Sequence, residues 1–342
     1  MNFPEFFRSQ ALGLAALFAV LVCQTKGQQG DPAKIARLQG GLVVQLGARD
    51  TNAAAELSLT GRYLIHVLDT DAERVRQAQS RLRKEGLYGM VWAEFYPNSK
   101  HLPYAENTVN LIVIRDYTVG VEELMRVLTP GGSLVVTHAE LLPSEKLKAA
   151  GFETISQADS NLITRKPWPK AMDVWSHPRH AADGNAVSLD SLVGPPDRVR
   201  WIAAATSEVE GMVTAGGRNF YGGILARDSF NGLRLWHRSL NGKNDDIFEA
   251  FELPKLSTAG ARPTASDRLL FAVLKNRPVA LDAKTGEVVI EFDNMVNPAN
   301  VLHDGTRVIA TDGEIVRAAT LQEQLARLVC QVCQPHLSDN SL

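Results

Sequence analysis

Residues 41–71, GLVVQLGARDTNAAAELSLTGRYLIHVLDTD, restrict the chain's fold more than any other stretch. Leu42–Leu46 is a short apolar run, Gly47 a turn residue and Asn52–Leu59 an Ala-rich helical piece. Arg62–Leu68 is a second apolar run, closed by Asp69. Short apolar runs bounded by turn signals read as buried strands, and a helix between two of them makes the strands parallel. Strand, turn, helix, strand and acid, in that order, form the first half of a nucleotide-binding α/β sheet. In such sheets the turn faces the ligand and the acid meets a ribose hydroxyl.

The neighbouring segments continue the alternation. Asp31–Gln39 reads as a short helix with Asp31 as N-cap and Pro32 at its first position. Asp71–Glu85 places Val75, Ala78 and Leu82 on one stripe, with Asp71 to cap it and Gly86 to end it. Tyr88–Phe95, Val109–Ile114 and Ser133–Thr137 are predicted strands. Val121–Leu128 and Ser144–Ala150 are predicted helices, Thr129–Gly132 is a predicted turn, and residues 151–166 carry two short strands. The expected architecture is α/β, a Rossmann-like doubly wound sheet over residues 41–167 with right-handed crossovers.

Three segments carry a family resemblance. LPYAENTVNLIVI (Leu102–Ile114), VEELMRVLTPGGSLVV (Val121–Val136) and VLDTDAERVRQAQ (Val67–Gln79) resemble, in order and spacing, the corresponding parts of class I S-adenosylmethionine-dependent methyltransferases. The resemblance implies S-adenosylmethionine as cofactor, held by Gly47, Ala48, Asp50, Asp69, Thr70 and Leu102, with the Lys100–Ala105 loop near the adenine. It names no catalytic residue. The family's first motif, acidic-x-Gly-x-Gly-x-Gly, is altered here: Gln45 replaces the acid, Gly47 remains, and Arg49 and Thr51 stand for the other glycines. Asn110 stands where an acid opens the fourth strand. A dinucleotide site needs three glycines at this turn and finds one. The base-modifying motif Asn/Asp-Pro-Pro-Tyr is also missing after the fourth strand, where Arg115-Asp116-Tyr117 read as loop residues.

A linker over residues 168–198 follows, rich in Pro, Trp and His near its start. His177, His180 and Asp183 have a metal-like spacing, but Pro178 breaks any helix that would converge them, so they read as loop residues and no metal site is expected. Ile224–Arg238 and Pro278–Phe292 both read strand, Asp-x-x-(Asn/Thr)-Gly turn, strand, and their turn aspartates Asp228 and Asp282 are 54 positions apart (282 − 228). This is similar to the repeat of pyrroloquinoline-quinone-type β-propellers, in which Trp236 would be the aromatic that packs between blades. Residues 199–317 suffice for two to three blades, an incomplete propeller with an open edge. Quinone binding is not expected, because it needs a closed ring. Residues 318–342 are expected to form a helix and tail.

Composition narrows the function classes. A formal net charge of −2 over 342 residues supplies no field for nucleic acid. Cys23, Cys330 and Cys333 cannot form a disulfide scaffold. Ala11–Val22 is an unbroken apolar run of 12 residues behind Arg8, short for a membrane span and suited to a signal peptide over residues 1–27, with a linker at 28–40. Export to the periplasm or beyond is therefore expected, or a cytoplasmic chain if this segment is retained. Two functions compete: a methyltransferase, and a non-catalytic exported binding or scaffold protein that uses its repeat region, with self-association through the open propeller edge.

Overall fold

The computed structural model describes residues 38–98, 100–138, 140–158, 161–195, 198–203, 212–221, 225–238, 262–293, 295 and 298–321, with backbone only at 154–158. The expected signal peptide, residues 31–37 of the helix predicted over Asp31–Gln39, and Cys330 and Cys333 lie outside them, and residues 38–39 are not helical. No helix of the described residues is long and apolar enough to cross a membrane.

The N-terminal half is a seven-stranded sheet. Its strands are β1 (Gly41–Leu46), β2 (Tyr63–Asp69), β3 (Val91–Phe95), β4 (Val109–Ile114), β5 (Leu128–Val136), β6 (Glu153–Ala158) and β7 (Asn161–Arg165), in the order β3-β2-β1-β4-β5-β7-β6. The first five are parallel, and β7 runs antiparallel to both β5 and β6. The apolar runs explain the order, since β4 is buried along its whole length and β1 nearly so, and both sit centrally. Helices α1 (Asn52–Ser58) and α2 (Ala72–Lys84) cover one face, where Leu57, Val75, Ala78 and Leu82 meet Val43, Ile65 and Val67. Helices α3 (Val121–Val127) and α4 (Ser144–Ala149) cover the other through Leu124, Val127 and Leu147. Asp71 caps α2 as expected, its Oδ1 accepting the Glu73 and Arg74 N–H groups.

Two details differ from the sequence reading. The predicted turn at 129–132 is part of β5, because the Gly131 N–H donates to the Lys166 carbonyl and the Lys166 N–H to the Gly132 carbonyl. The third strand starts at Val91, with Tyr88 contributing only an isolated bridge.

The second half consists of three antiparallel sheets. The first holds β8 (Met212–Ala215), β9 (Arg218–Tyr221), β10 (Leu225–Asp228) and β11 (Arg234–His237). The second holds β12 (Thr264–Ala265), β13 (Leu269–Leu274), β14 (Arg277–Asp282) and β15 (Val288–Glu291). The third holds β16 (Asn300–His303), β17 (Arg307–Thr311) and β18 (Val316–Thr320). β18 occupies the start of the predicted C-terminal helix, so residues 318–320 are strand; the rest of that prediction lies outside the described residues.

The paired turns are built alike. Asp228 Oδ1 accepts the Phe230 and Asn231 N–H groups, as Asp282 Oδ1 accepts those of Lys284 and Thr285. Gly232 and Gly286 then take φ of +73° and +74°. An indole lies on each glycine. Trp201 covers Gly232 and donates to the Ser229 carbonyl at 3.1 Å; Trp236 covers Gly286 and donates to the Ala283 carbonyl at 3.1 Å. One core unites the first two sheets and another the second and third. Among the described residues the three sheets close no ring.

The linker is exposed over 182–189 and 191–195 but packed against the sheets near its start. Residues 175–177 cross the first strand of each sheet: Thr214 N–H donates to the Trp175 carbonyl, Ala265 N–H to the Ser176 carbonyl, and the His177 ring meets the His303 carbonyl at 3.0 Å. His177 and His180 lie in irregular backbone, as expected, but are buried and fixed by different partners, His303 and Asp173.

A buried hydrogen-bonded knot joins the two halves, and Arg200 adds bonds to the Glu106 carbonyl and carboxylate at the surface. Asn110, at the start of β4, donates from Nδ2 to Asp228 Oδ2 at 2.7 Å. Its Oδ1 accepts from Leu42 N–H and from Asn231 Nδ2, both at 2.8 Å. Burial pushes the Asp228 carboxyl above its ordinary range, against the pull of these donors.

Two expectations follow. In Gly286→Ala the new Cβ would stand 2.6 Å from the Trp236 ring at a positive φ. It should cost about 3 kcal/mol, against about 1–2 kcal/mol for Gly305→Ala, whose Cβ meets nothing within 4 Å. Equal shifts in urea midpoint would contradict the indole docking. Asn110→Asp faces one buried carboxylate with another and should cost roughly 2–4 kcal/mol at pH 7.5. A carboxyl with a raised folded pKa stabilises the fold below its unfolded pKa and loses that contribution as pH rises, so the deficit should shrink towards pH 4.5. Unfolding curves at both pH values check this.

Candidate functional site at the switch point

Strand order reverses between β1 and β4, so the turns that follow these two strands lie side by side. The first is Gly47–Thr51, the second Arg115–Tyr117. Gly47 takes φ +119°, and a Cβ there would stand only 2.3 Å from Asp116 Oδ2. Asp116 therefore occupies the hollow that the glycine leaves.

Three successive N–H groups of the first turn are already engaged. Gly47 N–H donates to the Leu68 carbonyl at 2.8 Å, Ala48 N–H to Asp69 Oδ2 at 2.7 Å, and Arg49 N–H to Asp116 Oδ2 at 3.2 Å. The Arg49 guanidinium reaches the same carboxylate at 3.7 Å. From below, Gln45 donates its amide to the Gly47 and Asp50 carbonyls at 2.7 and 2.8 Å. An acid here would set its oxygens against those two carbonyls, so a carboxamide is what this turn requires.

Asp69 stands at the end of β2 and is 0% exposed. Its Oδ1 accepts the Asp71 N–H at 2.9 Å and lies 3.6 Å from Arg74, so both oxygens serve the protein's own groups. Asp50 turns outward to Arg115 Nη1 at 3.3 Å and caps the Asn52 N–H. Thr70 is exposed beside this turn. Leu102 is buried in the core, and its N–H donates to Glu123 Oε1 at 2.7 Å. Burial pushes Glu123 up, but Arg126 and the Leu102 N–H outweigh it and hold the carboxyl below its ordinary value. The structure thus gathers Gly47, Ala48, Asp50 and Asp69 at one turn, while Leu102 belongs to the wall.

The sequence reading gave Asp116 and Tyr117 as loop residues and passed over His66 and Tyr104. Asp116 fills the turn. Tyr117, beside it, is pushed up by burial and by the Asp69 charge, and its buried hydroxyl has no hydrogen-bond partner. Tyr104 Oη meets His66 Nδ1 at 2.7 Å, and His66 Nε2 lies 3.2 Å from Glu94. Burial lowers the His66 pKa more than Glu94 raises it. The usable signal was position: Arg115–Tyr117 follow β4 at the reversal of strand order, where side chains face the ligand end of such sheets. Among the described residues no group of three or more metal-ligating side chains converges.

No family model matches the chain, and no curated protein does. Solved structures do resemble it over the parallel sheet. A S-adenosylmethionine-dependent methyltransferase from Aquifex aeolicus is 20% identical, covering 40% of this chain and 89% of its own, with a TM-score of 0.34. A putative S-adenosyl-L-methionine-dependent methyltransferase from Methanococcus maripaludis is 15% identical, covering 50% and 97%, at 0.32. The [4+2]-cyclase SpnF is 18% identical, covering 38% and 76%, at 0.34. The N-terminal part has a methyltransferase-like Rossmann fold, and that statement rests on strand order and register.

Gln45→Glu tests the closed turn. It should destabilise by roughly 2–3 kcal/mol at pH 7.5, because a buried carboxylate would face two carbonyls. Its folded pKa would be raised, so the loss should diminish on acidification to pH 5. Denaturant midpoints at the two pH values decide; a neutral substitution would mean that the carbonyls do not point inward.

Proposed function

We propose that the parallel sheet is a methyltransferase-type domain that no longer binds S-adenosylmethionine, and that the chain is a non-catalytic binding protein built on it. The observation that carries this reading is the closed turn. A cofactor at this point needs free backbone N–H donors and an accessible acid for the ribose. Here the Gly47, Ala48 and Arg49 N–H groups are taken, Asp69 is enclosed, and Asp116 fills the hollow over Gly47. The residues as placed do not fit the cofactor, so no methyl-transfer step is derived from them.

Two further points support a binding role. The far end of the same sheet is committed to the antiparallel half through Asn110, Asp228 and Asn231. The apolar segment at 11–22 suits export, and a compartment outside the cytoplasm is not expected to hold this cofactor. The repeat region is read as an incomplete propeller in the scaffolding sense, with its uncovered third sheet as a surface for a protein partner or a second copy.

Methyl transfer is the second reading. It is favoured by Asp69 lying at the end of β2 with the unpartnered Tyr117 hydroxyl beside it. It would require Asp116 and Arg49 to leave the turn together.

Calorimetric titration of the full chain with S-adenosylmethionine separates the two. At about 1 mM ligand, where binding worth as little as about 4 kcal/mol registers, no saturable heat is expected. The double substitution Arg49→Gly, Asp116→Gly should open the hollow and raise affinity. Saturable binding by the unaltered chain would overturn the proposal.

A further inference from the structure

A cavity of about 120 Å³ lies at the seam between the two halves, at the end of the parallel sheet opposite the switch point. Its lining includes Asn110, Thr129, Trp168, Arg218, Phe230 and Lys284, with the backbones of Gly131, Gly216 and Gly217 between them. Those glycines let the two halves approach. A Cβ on Gly217 would meet Phe230 at 3.3 Å and Trp168 at 3.5 Å, and one on Gly216 would stand 2.8 Å from Arg218 Nη1.

Arg218 is the unusual member. It is the first residue of β9, half-buried, and among the described residues its side chain's one hydrogen bond is a stretched 3.5 Å contact from Nη1 to the Asp267 carbonyl. A guanidinium carries five N–H donors in a planar fork. The remainder are not sealed away, because no Arg218 nitrogen is among the buried atoms left without a partner. The nearest lining carboxylate is not free to serve it. Asp228 is occupied by Asn110 and by two N–H groups of its own turn. Asp228, Asp267 and Asp282 act on Arg218 through their charge, without an ion pair among the described residues. The lining holds two cations, Arg218 and Lys284, against the single carboxylate of Asp228. Lys284 has a partner of its own, which leaves Arg218 as the anchor.

We propose that this seam cavity is a binding site for a small organic carboxylate, held bidentately by the Arg218 guanidinium with its apolar body against Trp168 and Phe230. The two rings meet edge to face with centroids 5.9 Å apart and form an apolar wall next to the cationic fork. A cavity of about 150 Å³ accepts a benzene-sized molecule, so this slightly smaller, open one suits a carboxylate of a few carbons up to a single ring. The site lies between the halves, so its ligand would bridge them and add to the Asn110–Asp228 knot. It stands independently of whether the switch point binds S-adenosylmethionine.

The test uses the full chain, titrated calorimetrically with propionate and benzoate, and with benzamide as the uncharged isostere. Saturable binding of at least one carboxylate is expected, with benzamide at least ~10-fold weaker than benzoate. Arg218→Gln should abolish it. Should that variant fail to fold, Arg218→Lys keeps the charge but loses the fork and should weaken binding about 10-fold. No saturable carboxylate binding, equal affinity for benzamide and benzoate, or unchanged affinity in a folded Arg218 variant would each overturn the assignment.

Discussion

A single buried carboxylate, Asp228, carries obligations from both halves of the molecule. With 5% exposure it must find donors inside the protein, because an unpaired buried charge is among the costliest defects a fold can contain. Two donors are local, the Phe230 and Asn231 N–H groups of its own turn. The third is the amide of Asn110, more than a hundred residues away at the start of β4. The same amide's oxygen takes Asn231 Nδ2 and the Leu42 N–H, so β1, β4 and the first antiparallel sheet are set in register by one side chain. Gly41 is part of this arrangement: it takes φ +118°, and a Cβ there would collide with Asn110. An Asp at 110 would offer acceptors where donors are required. The amide at this position therefore has a physical reason in the second half of the chain.

The legible parts of the fold are those whose cause is local. Leu42–Leu46 and Val109–Ile114 announce central strands because every residue in them is apolar or enclosed, and Asp71 announces α2 because capping needs only its own next turn. The two Asp-x-x-x-Gly turns were visible for the same reason, since an aspartate and a positive-φ glycine four residues later solve one backbone problem twice. What escaped depends on distant partners. Thr129–Gly132 has turn chemistry, yet Lys166 from β7's end pairs with it and makes it strand. His177 and His180 lie among polar and small residues, yet His303 and Asp173 draw them inside. Trp201 carries no repeat signal of its own and is recognisable only from Gly232 beneath it.

The turn after β1 shows how an altered motif can be self-consistent. With glycines, such a turn leaves N–H groups free for a ligand, and an acid beneath it accepts rather than donates. Here Gln45 donates upward to two carbonyls, while the N–H groups above find Asp69, Asp116 and the Leu68 carbonyl. Donors and acceptors have exchanged sides together. Once Gln45 is in place, Asp116 over Gly47 and Arg49 against Asp116 engage the turn's successive N–H groups within the protein. The substitutions at 45 and 49 are thus one change seen from two sides.

A parallel sheet has two ends, and its strands' polarity makes them different. The carboxyl ends of β1, β2 and β4 are where such sheets usually bind, and in this chain Asp69, Asp116 and the half-buried Tyr117 stand at that end. The amino ends of β1 and β4 instead present Gly40, Gly41 and Asn110, small or amide-bearing residues that let a second sheet approach closely. The seam cavity, with Arg218 in its lining, is at this opposite end. The close approach that Gly40 and Gly41 permit leaves a cavity between the two halves at the amino ends, and any group placed there would touch both.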